Sequence, residues 1–542
     1  MVAGWYYWPE ISFFGRAIKR VSLTAYNVGI VAVDYKWNLG PWWKIQKTRN
    51  LLLDESGEYE ITKSVIHLRS AKRLLRLFQA NGGVYIKLGQ HLAALDFVLP
   101  PEYCTVLSTL HSEAPASSPD DVCKIFLEEL GSQPQYSHIT KSRLSSGEKG
   151  KKIMECIFSH FDWKPIGAAS LAQVHIADRA DGKGQVAVKV QHYRIMGFSS
   201  IDIATASVAV RWIKRVFPNF EFTWLADEMK TNLPKELNFI QEGHNAERLL
   251  RCTSTVVVPK VHWDLSSRRI LVMEYIEGTK VNQVSRLKSL NIDLRKISER
   301  LTKAYSEMIF IHGFVHCDPH PGNILVRKQG SDFDLVLLDH GLYKELPESF
   351  RLAYARLWKA VIDCNESEIM RLSEDLGGGH AHRLFSSVLT HRSWDRISSI
   401  RELGAKNTIN DFEAIRQKAP LFLEKIAHLL SHIPRDMLLL LKTNDLLRSI
   451  ERQLQAECDW PASRSFLIMA RYCSLAILRD DLERGKGLAA YLNYSWDILK
   501  YRFAGFFLRY LGYWHRFWNQ IHPTVKSENS EGVQATIEEL LQ

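Results

Sequence analysis

The residues best placed to do chemistry lie in one run, His316-Cys-Asp318-Pro-His320-Pro-Gly-Asn323, followed by Leu337-Leu-Asp339-His-Gly341. An Asp is paired with an Asn five residues on, and a second Asp follows a short apolar run. Phosphoryl transfer from a nucleotide needs such a set: one carboxylate beside the acceptor, and an Asn and an Asp converging on Mg²⁺ at the phosphates. Asp318 is therefore the candidate catalytic residue, and Asn323 and Asp339 are the candidate metal ligands. His316 and His320 read as structural loop residues rather than zinc ligands, because the neighbouring carboxylates favour a hard ion.

Other parts of an ATP site stand upstream in the right order. Val186-Ala-Val-Lys189 places a lysine at the end of an expected strand, where it reaches the α and β phosphates, and Glu242 lies in a helical interval from which it can hold that lysine. Met273-Glu274-Tyr275-Ile276-Glu277-Gly278 ends the last strand of this part and reads as a hinge whose backbone bonds adenine, with Glu274 and Ile276 as contacts. Each element alone is weak; their order and spacing together point to a kinase-like ATP fold.

Three features separate the chain from an ordinary protein kinase. The loop before the lysine, Ile166-Gly167-Ala168-Ala169-Ser170-Leu171-Ala172-Gln173-Val174, carries alanines where a glycine-rich loop would stand. Each Cβ stiffens the turn and crowds the approach of backbone to phosphate. An additional helix carries Lys87-Leu-Gly89-Gln90, and a helix expected at Pro347 leaves no room for a long activation segment after Asp339.

These features closely resemble the UbiB, or aarF-domain-containing, atypical kinases, whose marks are KxGQ, an alanine-rich loop, ExD and HxDxHPxN. The resemblance covers roughly residues 60 to 345 and, through stretches such as GFVHCDPHPGNILVRK and LLLLKTNDLLRSIE, is strongest to a mitochondrial animal branch. It implies that Lys189 and Glu242 form the nucleotide ion pair, that Asp318 is catalytic, and that Asn323 and Asp339 hold metal. Lys87 and Gln90 would belong to an extension covering the usual peptide site, and Glu236 begins the ExD motif. The third position of that motif is Asn238, so the carboxylate expected to face Lys87 is missing.

The elements that must position these residues follow from pattern. Helix is expected from Glu60 to Leu95, broken at Asn81-Gly82-Gly83 and stopped before Pro100-Pro101, and again from Asp120 to Leu130. The Ser, Gly and Lys-rich stretch at 140–152 reads as a linker. Strands are expected at Ser170–Ala177, Gln185–Gln191, Val256–His262 and Arg269–Tyr275, with helix at 225–251, then mostly helix after Asp293 apart from Ile324–Val326 and Asp334–Leu338. The fold class is thus α+β, a protein-kinase-like bilobal fold with a helical N-terminal KxGQ extension and a helical C-terminal region. Its parts are a basic aromatic segment (1–45), the extension (46–155), an N-lobe (156–292), a C-lobe (293–465) and a helical C-terminal region with a polar tail (466–542). No internal repeat or heptad array is present.

At 542 residues the chain exceeds one domain, and 46% hydrophobic with 24% charged residues excludes collagen, rods and wholesale disorder. Eight scattered cysteines without a CxxC pair write neither a zinc ribbon nor a disulfide framework, and fit a reducing compartment. The net charge of +10 fits anionic partners. The first fifty residues hold seven Lys or Arg, two acids and eleven aromatics, as a targeting or interfacial segment would, or an arm packed on the body. Val21–Val33 is too short and too interrupted to span a bilayer. From Lys500 to Trp518 no acid occurs; Phe503, Phe506, Phe507, Tyr510, Trp514 and Phe517 share a helical stripe flanked by Arg502, Arg509 and Arg516. That pattern suits an anionic membrane surface or a core-docked terminal helix. The expected function is a Mg-ATP-dependent atypical kinase or ATPase at a mitochondrial membrane, acting on lipid, a lipid-like precursor or its own complex, with membrane protein partners and no nucleic acid. A nucleotide-regulated pseudokinase scaffold and a protein kinase proper are the other readings.

Overall fold

A computed structural model describes residues 2–39, 55–93, 99–111, 116–193, 195–218, 223–379, 381–390, 394, 433–456 and 463–521. The polar tail after Pro523, residues 40–54 and Cys458 lie outside the described residues. Two units pack separately: Met1–His244 with Pro259–Tyr275, and Asn245–Val258 with Ile276–Gln542. The chain makes its last passage between them at Tyr275-Ile276, inside the expected hinge.

In the first unit, α1 (Val2–Leu39) is one long helix, α2 (Glu55–Asn81) and α3 (Val84–Ala93) are separated at Gly82, and α4 (Pro119–Leu130) is capped by Ser118, whose side chain accepts from Asp121 N–H. The expected linker at 140–152 is instead largely α5 (Ser146–Ile157). Ser145 and Glu148 form a capping box there, each satisfying an N–H of the other, and that start signal outweighs the Gly and Lys content. Strands β1 (Phe158–Phe161), β2 (Gly167–Ala168), β3 (Ala172–Arg179), β4 (Gln185–Gln191) and β5 (Ile270–Glu274) form an antiparallel sheet of order β1-β3-β4-β5, with β2 paired to β3. Alternation along β4 sends Val186, Val188 and Val190 into a core with Ile270, Val272 and the apolar faces of α4 and α5. Lys189 therefore points to the opposite face.

α6 (Ile195–Val216), α7 (Thr223–Glu236) and α8 (Phe239–Cys252) follow β4. α1 is docked, not a free arm: Arg20 Nε and Nη2 bond the Asp202 carboxylate of α6 at 2.9 and 2.5 Å, Arg20 Nη1 bonds Asn81 O, and Thr24 meets the Tyr85 hydroxyl at 2.8 Å. Among the described residues no helix is long and apolar enough to cross a membrane.

The second unit starts its sheet with β6 (Thr279–Lys280). α9 (Leu294–Ser306) then runs into a π-helical turn, Glu307–His312, closed by Gly313 at φ 62°, where a side chain would be strained. β7 (Phe314–His316) delivers the HxD loop and pairs with β10 (Tyr343–Glu345). β8 (Ile324–Gln329) and β9 (Asp332–Leu337) form a hairpin in a three-stranded sheet with β6. The strand expected at Val256–His262 reduces to two isolated bridges, Val257 with Val336 and Val261 with Met273. Pro259 stands between them and has no N–H to give a ladder. α10 (Glu348–Ile362) begins right after Pro347, so the connection after Asp339 is short, as expected. α11 (Arg435–Ala456), α12 (Ser463–Glu483) and α13 (Gly487–Ile521) complete the unit. Its core includes the fully buried Tyr305, Phe310, Tyr354 and Trp358.

α13 combines both expectations for the C-terminal helix. One face docks: Tyr501 is buried, Asp497 meets Lys359 at 2.9 Å and Ser474 at 3.0 Å, and Lys500 meets Asp363. The opposite face leaves Leu488, Leu492, Trp496, Leu499, Phe503 and Phe506 exposed. The side chains of Phe507, Arg509, Tyr510, Trp514, Arg516 and Phe517 lie outside the described residues.

Candidate nucleotide and catalytic site

Lys189, on the non-core face of β4, sets Nζ 2.6 Å from Glu242 Oε1, and Glu242 is 2% exposed. The partner is well placed for a physical reason. Asn238 precedes α8 and its Oδ1 accepts from Ile240 N–H at 3.2 Å, a side-chain N-cap, while its carbonyl accepts from Glu242 N–H. Glu242 thus sits in the first turn, where the helix dipole favours negative charge. Lys189 also lies over the Phe239 ring, 5.3 Å from its centre.

The same cap corrects the ExD expectation. Lys87 does have a carboxylate: Nζ lies 2.9 Å from Glu236 Oε2, and both side chains are largely buried. Glu236, at the end of α7, makes the contact, and Asn238 in the third position starts α8 instead. Gly89 follows from packing, since a Cβ there would come 2.3 Å from Leu110 Cδ1 and 2.7 Å from Phe78 Cδ2.

The alanine-rich loop is a tight hairpin. Gly167 pairs with Val174 and Ala168 with Gln173, and Ala169 N–H donates to Ala172 O at 2.8 Å. Ile166 N–H donates to Val174 O, and Gly167 is exposed. Ser170, Leu171, Ala172 and Gln173 are buried. The extension reaches them directly: the Ser170 hydroxyl bonds Gln90 Oε1 at 3.3 Å, while Gln90 Nε2 donates to Leu110 O, and Ser117 N–H donates to Gln173 Oε1 at 2.6 Å. Ser117 was not legible as a partner of this loop. At the hinge, Glu274 ends β5 and its N–H donates to Lys260 O at 2.8 Å, while Ile276 is buried with Leu325 and Val336 in the second unit.

In the second unit the HxD loop is fixed from below. His316 is buried, with Nδ1 2.8 Å from the Tyr305 hydroxyl and Nε2 2.7 Å from the Asp339 carbonyl. A carbonyl only accepts, so Nε2 carries the proton and Nδ1 accepts from Tyr305. Burial pushes the His316 pKa down, so the ring stays neutral. His320 Nδ1 accepts from Gly322 N–H at 3.1 Å and caps the turn before Asn323. Both histidines serve the loop's shape, and among the described residues no cluster of His, Cys, Asp or Glu could hold a metal by itself.

Asn323 Nδ2 donates to Asp318 O at 3.4 Å, a bond that leaves the amide oxygen out of the contact. Asp339 Oδ1 accepts from Gly341 N–H at 2.9 Å. An amide oxygen and a carboxylate make an oxygen donor set suited to Mg²⁺ once nucleotide phosphates and water supply the rest. Asp318 has a neighbour that sequence reading missed: Lys442 Nζ of α11 stands 3.4 Å from Asp318 Oδ1. The next residue, Thr443, is fully buried and bonds Cys317 O at 3.5 Å.

Comparison with known proteins places the chain in a family. Residues 132–373 match the ABC1 atypical kinase-like domain. The chain is 46% identical over 499 residues to AarF domain-containing protein kinase 1 of Xenopus laevis, covering 90% of this chain and 88% of that protein. It is 38% identical to AarF domain-containing kinase 1 of Drosophila melanogaster over 84% of this chain and 83% of the relative. Among solved structures, the Rv3197–erythromycin complex from Mycobacterium tuberculosis aligns at TM-score 0.41 and 19% identity, covering 73% of this chain and 98% of that one. With the α+β kinase-like architecture and the two groups of site residues in place, the chain belongs to the ABC1/AarF family of atypical kinases.

Proposed function

We propose that the protein binds Mg-ATP and transfers or hydrolyses its γ-phosphoryl group at a mitochondrial membrane, acting on a lipid, a lipid-like precursor or its own complex rather than on peptides. The observation that carries this reading is the Lys189–Glu242 pair at 2.6 Å, the form a phosphate-binding lysine takes in an active kinase. Lys189 would contact the α and β phosphates, the hinge backbone at Glu274 and Ile276 would meet adenine, and Asn323 and Asp339 would hold the metal. Mg²⁺ supplies charge neutralisation between phosphate oxygens. Asp318 orients the acceptor and takes its proton. Kinase names among the relatives support the class of activity.

The short connection from Asp339 to α10 offers little platform for a peptide, which disfavours a protein kinase proper. Anionic lipid is favoured as a partner by the exposed apolar face of α13 and by Arg502, Arg509 and Arg516, with no acid from Ile498 to Ile521. Membrane proteins of the mitochondrion are the expected macromolecular partners, and nucleic acid is not among them. A second reading, a nucleotide-regulated scaffold, draws on the extension's hold on the alanine-rich loop through Gln90 and Ser170. ATP hydrolysis by purified protein, with and without anionic vesicles and beside Asp318→Asn, separates the two. Turnover lost in Asp318→Asn supports the enzyme; nucleotide binding without turnover in the wild type supports the scaffold; absence of any Mg-nucleotide thermal shift refutes both.

A further inference from the structure

Transfer of a phosphoryl group spreads negative charge over its equatorial oxygens, and a cation at the acceptor side stabilises that charge. The catalytic loop does not bring one of its own. From His316 to Val326 the chain contains no Lys or Arg, and His320 is turned to the loop itself, its Nδ1 accepting the Gly322 N–H. The ammonium beside Asp318 comes from elsewhere in the second unit, from Lys442 on α11, 124 residues along the chain.

We propose that Lys442 is a catalytic residue, placing its ammonium on the transferred phosphoryl group next to Asp318. This rests on the phosphoryl-transfer reading above. Three facts carry it. Lys442 Nζ lies 3.4 Å from Asp318 Oδ1, and its side chain is only 13% exposed. Its helix is anchored at the two residues that follow the contact, by Thr443 on Cys317 O and by Asn444 Nδ2 on the Tyr354 hydroxyl at 2.7 Å, which fixes where the lysine stem leaves the helix. Third, the loop from His316 to Val326 holds no Lys or Arg of its own that could take this place. The arrangement gains once a phosphoryl group arrives to share the charge. The four-carbon stem lets Nζ turn from Asp318 toward that group without moving α11.

In the step itself, the acceptor oxygen, water in hydrolysis, bonds to the γ-phosphorus as the bond from that phosphorus to the β–γ bridging oxygen breaks. ADP leaves with that electron pair. The acceptor's proton passes to the Asp318 carboxylate and then to solvent, and Lys442 keeps its proton throughout.

The test compares wild type, Lys442→Met, Lys442→Arg and Asp318→Asn as purified full-length protein with phosphatidylcholine–phosphatidylglycerol vesicles. Lys442→Met is expected to lower kcat by about 10²-fold, as loss of one preorganised charge-stabilising donor does, with Mg-ADP affinity within about threefold of wild type. Affinity for Mg-ADP with aluminium fluoride, a mimic of the phosphoryl group in flight, should fall with kcat, and Lys442→Arg should recover part of both. Turnover within threefold of wild type, or equal losses of Mg-ADP and aluminium-fluoride affinity, overturns the proposal. If wild type turns over and Asp318→Asn does not, that failure belongs to Lys442 alone; if wild type binds no Mg-nucleotide, the phosphoryl-transfer reading falls and this proposal with it.

Discussion

Removing Lys189 should unfold the first unit more easily than removing the whole ion pair. At 2.6 Å and an effective dielectric near 20 the gross attraction is about 6 kcal/mol, most of it offset by taking both charges from water. Lys189→Met keeps the aliphatic stem but takes the ammonium away from Glu242, which is 2% exposed. The expected cost is about 3 kcal/mol, a fall in Tm of roughly 6–12 °C. Lys189→Met/Glu242→Leu replaces the pair with apolar volume and should return to wild-type stability or exceed it, because the desolvated charge is gone. Differential scanning fluorimetry on the four members of the cycle reads this, and Mg-ATP should shift only the wild type. A single variant as stable as wild type, or a double variant less stable than the single, would refute the account of the pair.

Gly89→Ala places a methyl against Leu110 and Phe78 and should cost about 1–3 kcal/mol, read as a lower Tm. His316→Gln should flatten the acid limb of the stability profile: the folded His316 pKa is held below its unfolded value, so wild type loses stability as pH falls from about 6.5 through the folded value, and thermal melts between those limits show it. Reversing Arg502, Arg509 and Arg516 to Glu should abolish binding to anionic vesicles, at ~1 kcal/mol for each basic residue lost, while circular dichroism stays native. A folded triple variant that still sediments with those vesicles removes the membrane assignment of α13.

The legible parts of the site were those whose signals are local. Lys189 lies in a strand of alternating valines, Glu242 lies in the first turn of a helix, and Asp318, Asn323 and Asp339 lie in the loops that flank one hairpin, so order along the chain located them. The break at Gly82 and the stop before Pro101 were equally local, set by backbone preference. Two readings failed where composition was weighed above spacing. The 140–152 stretch contains Ser145 and Glu148 three apart, a helix start written in the sequence, yet its glycines and lysines read as linker. Pro259 should have argued against a continuous strand at Val256–His262. Lys442 and Ser117 carried no local mark at all. Each meets its partner only through packing of distant elements, Lys442 across 124 residues and Ser117 across 56.

The junction at Leu237-Asn238 explains why one missing carboxylate changes so little. Glu236 ends one helix and Glu242 begins the next, six residues apart, and each holds a different buried lysine, Lys87 of the extension and Lys189 of the sheet. Both distances depend on how the two-residue connection aims α8 relative to α7. Asn238 sets that aim by capping α8, and Asn and Asp are nearly equivalent N-caps, whereas as a partner for a buried lysine only Asp would bring charge. Lys87 already has its charge from Glu236, and a second carboxylate beside one ammonium would be left without a full counter-charge. Asn at this position therefore retains the geometric work of the motif and omits the carboxylate that Lys87 does not need.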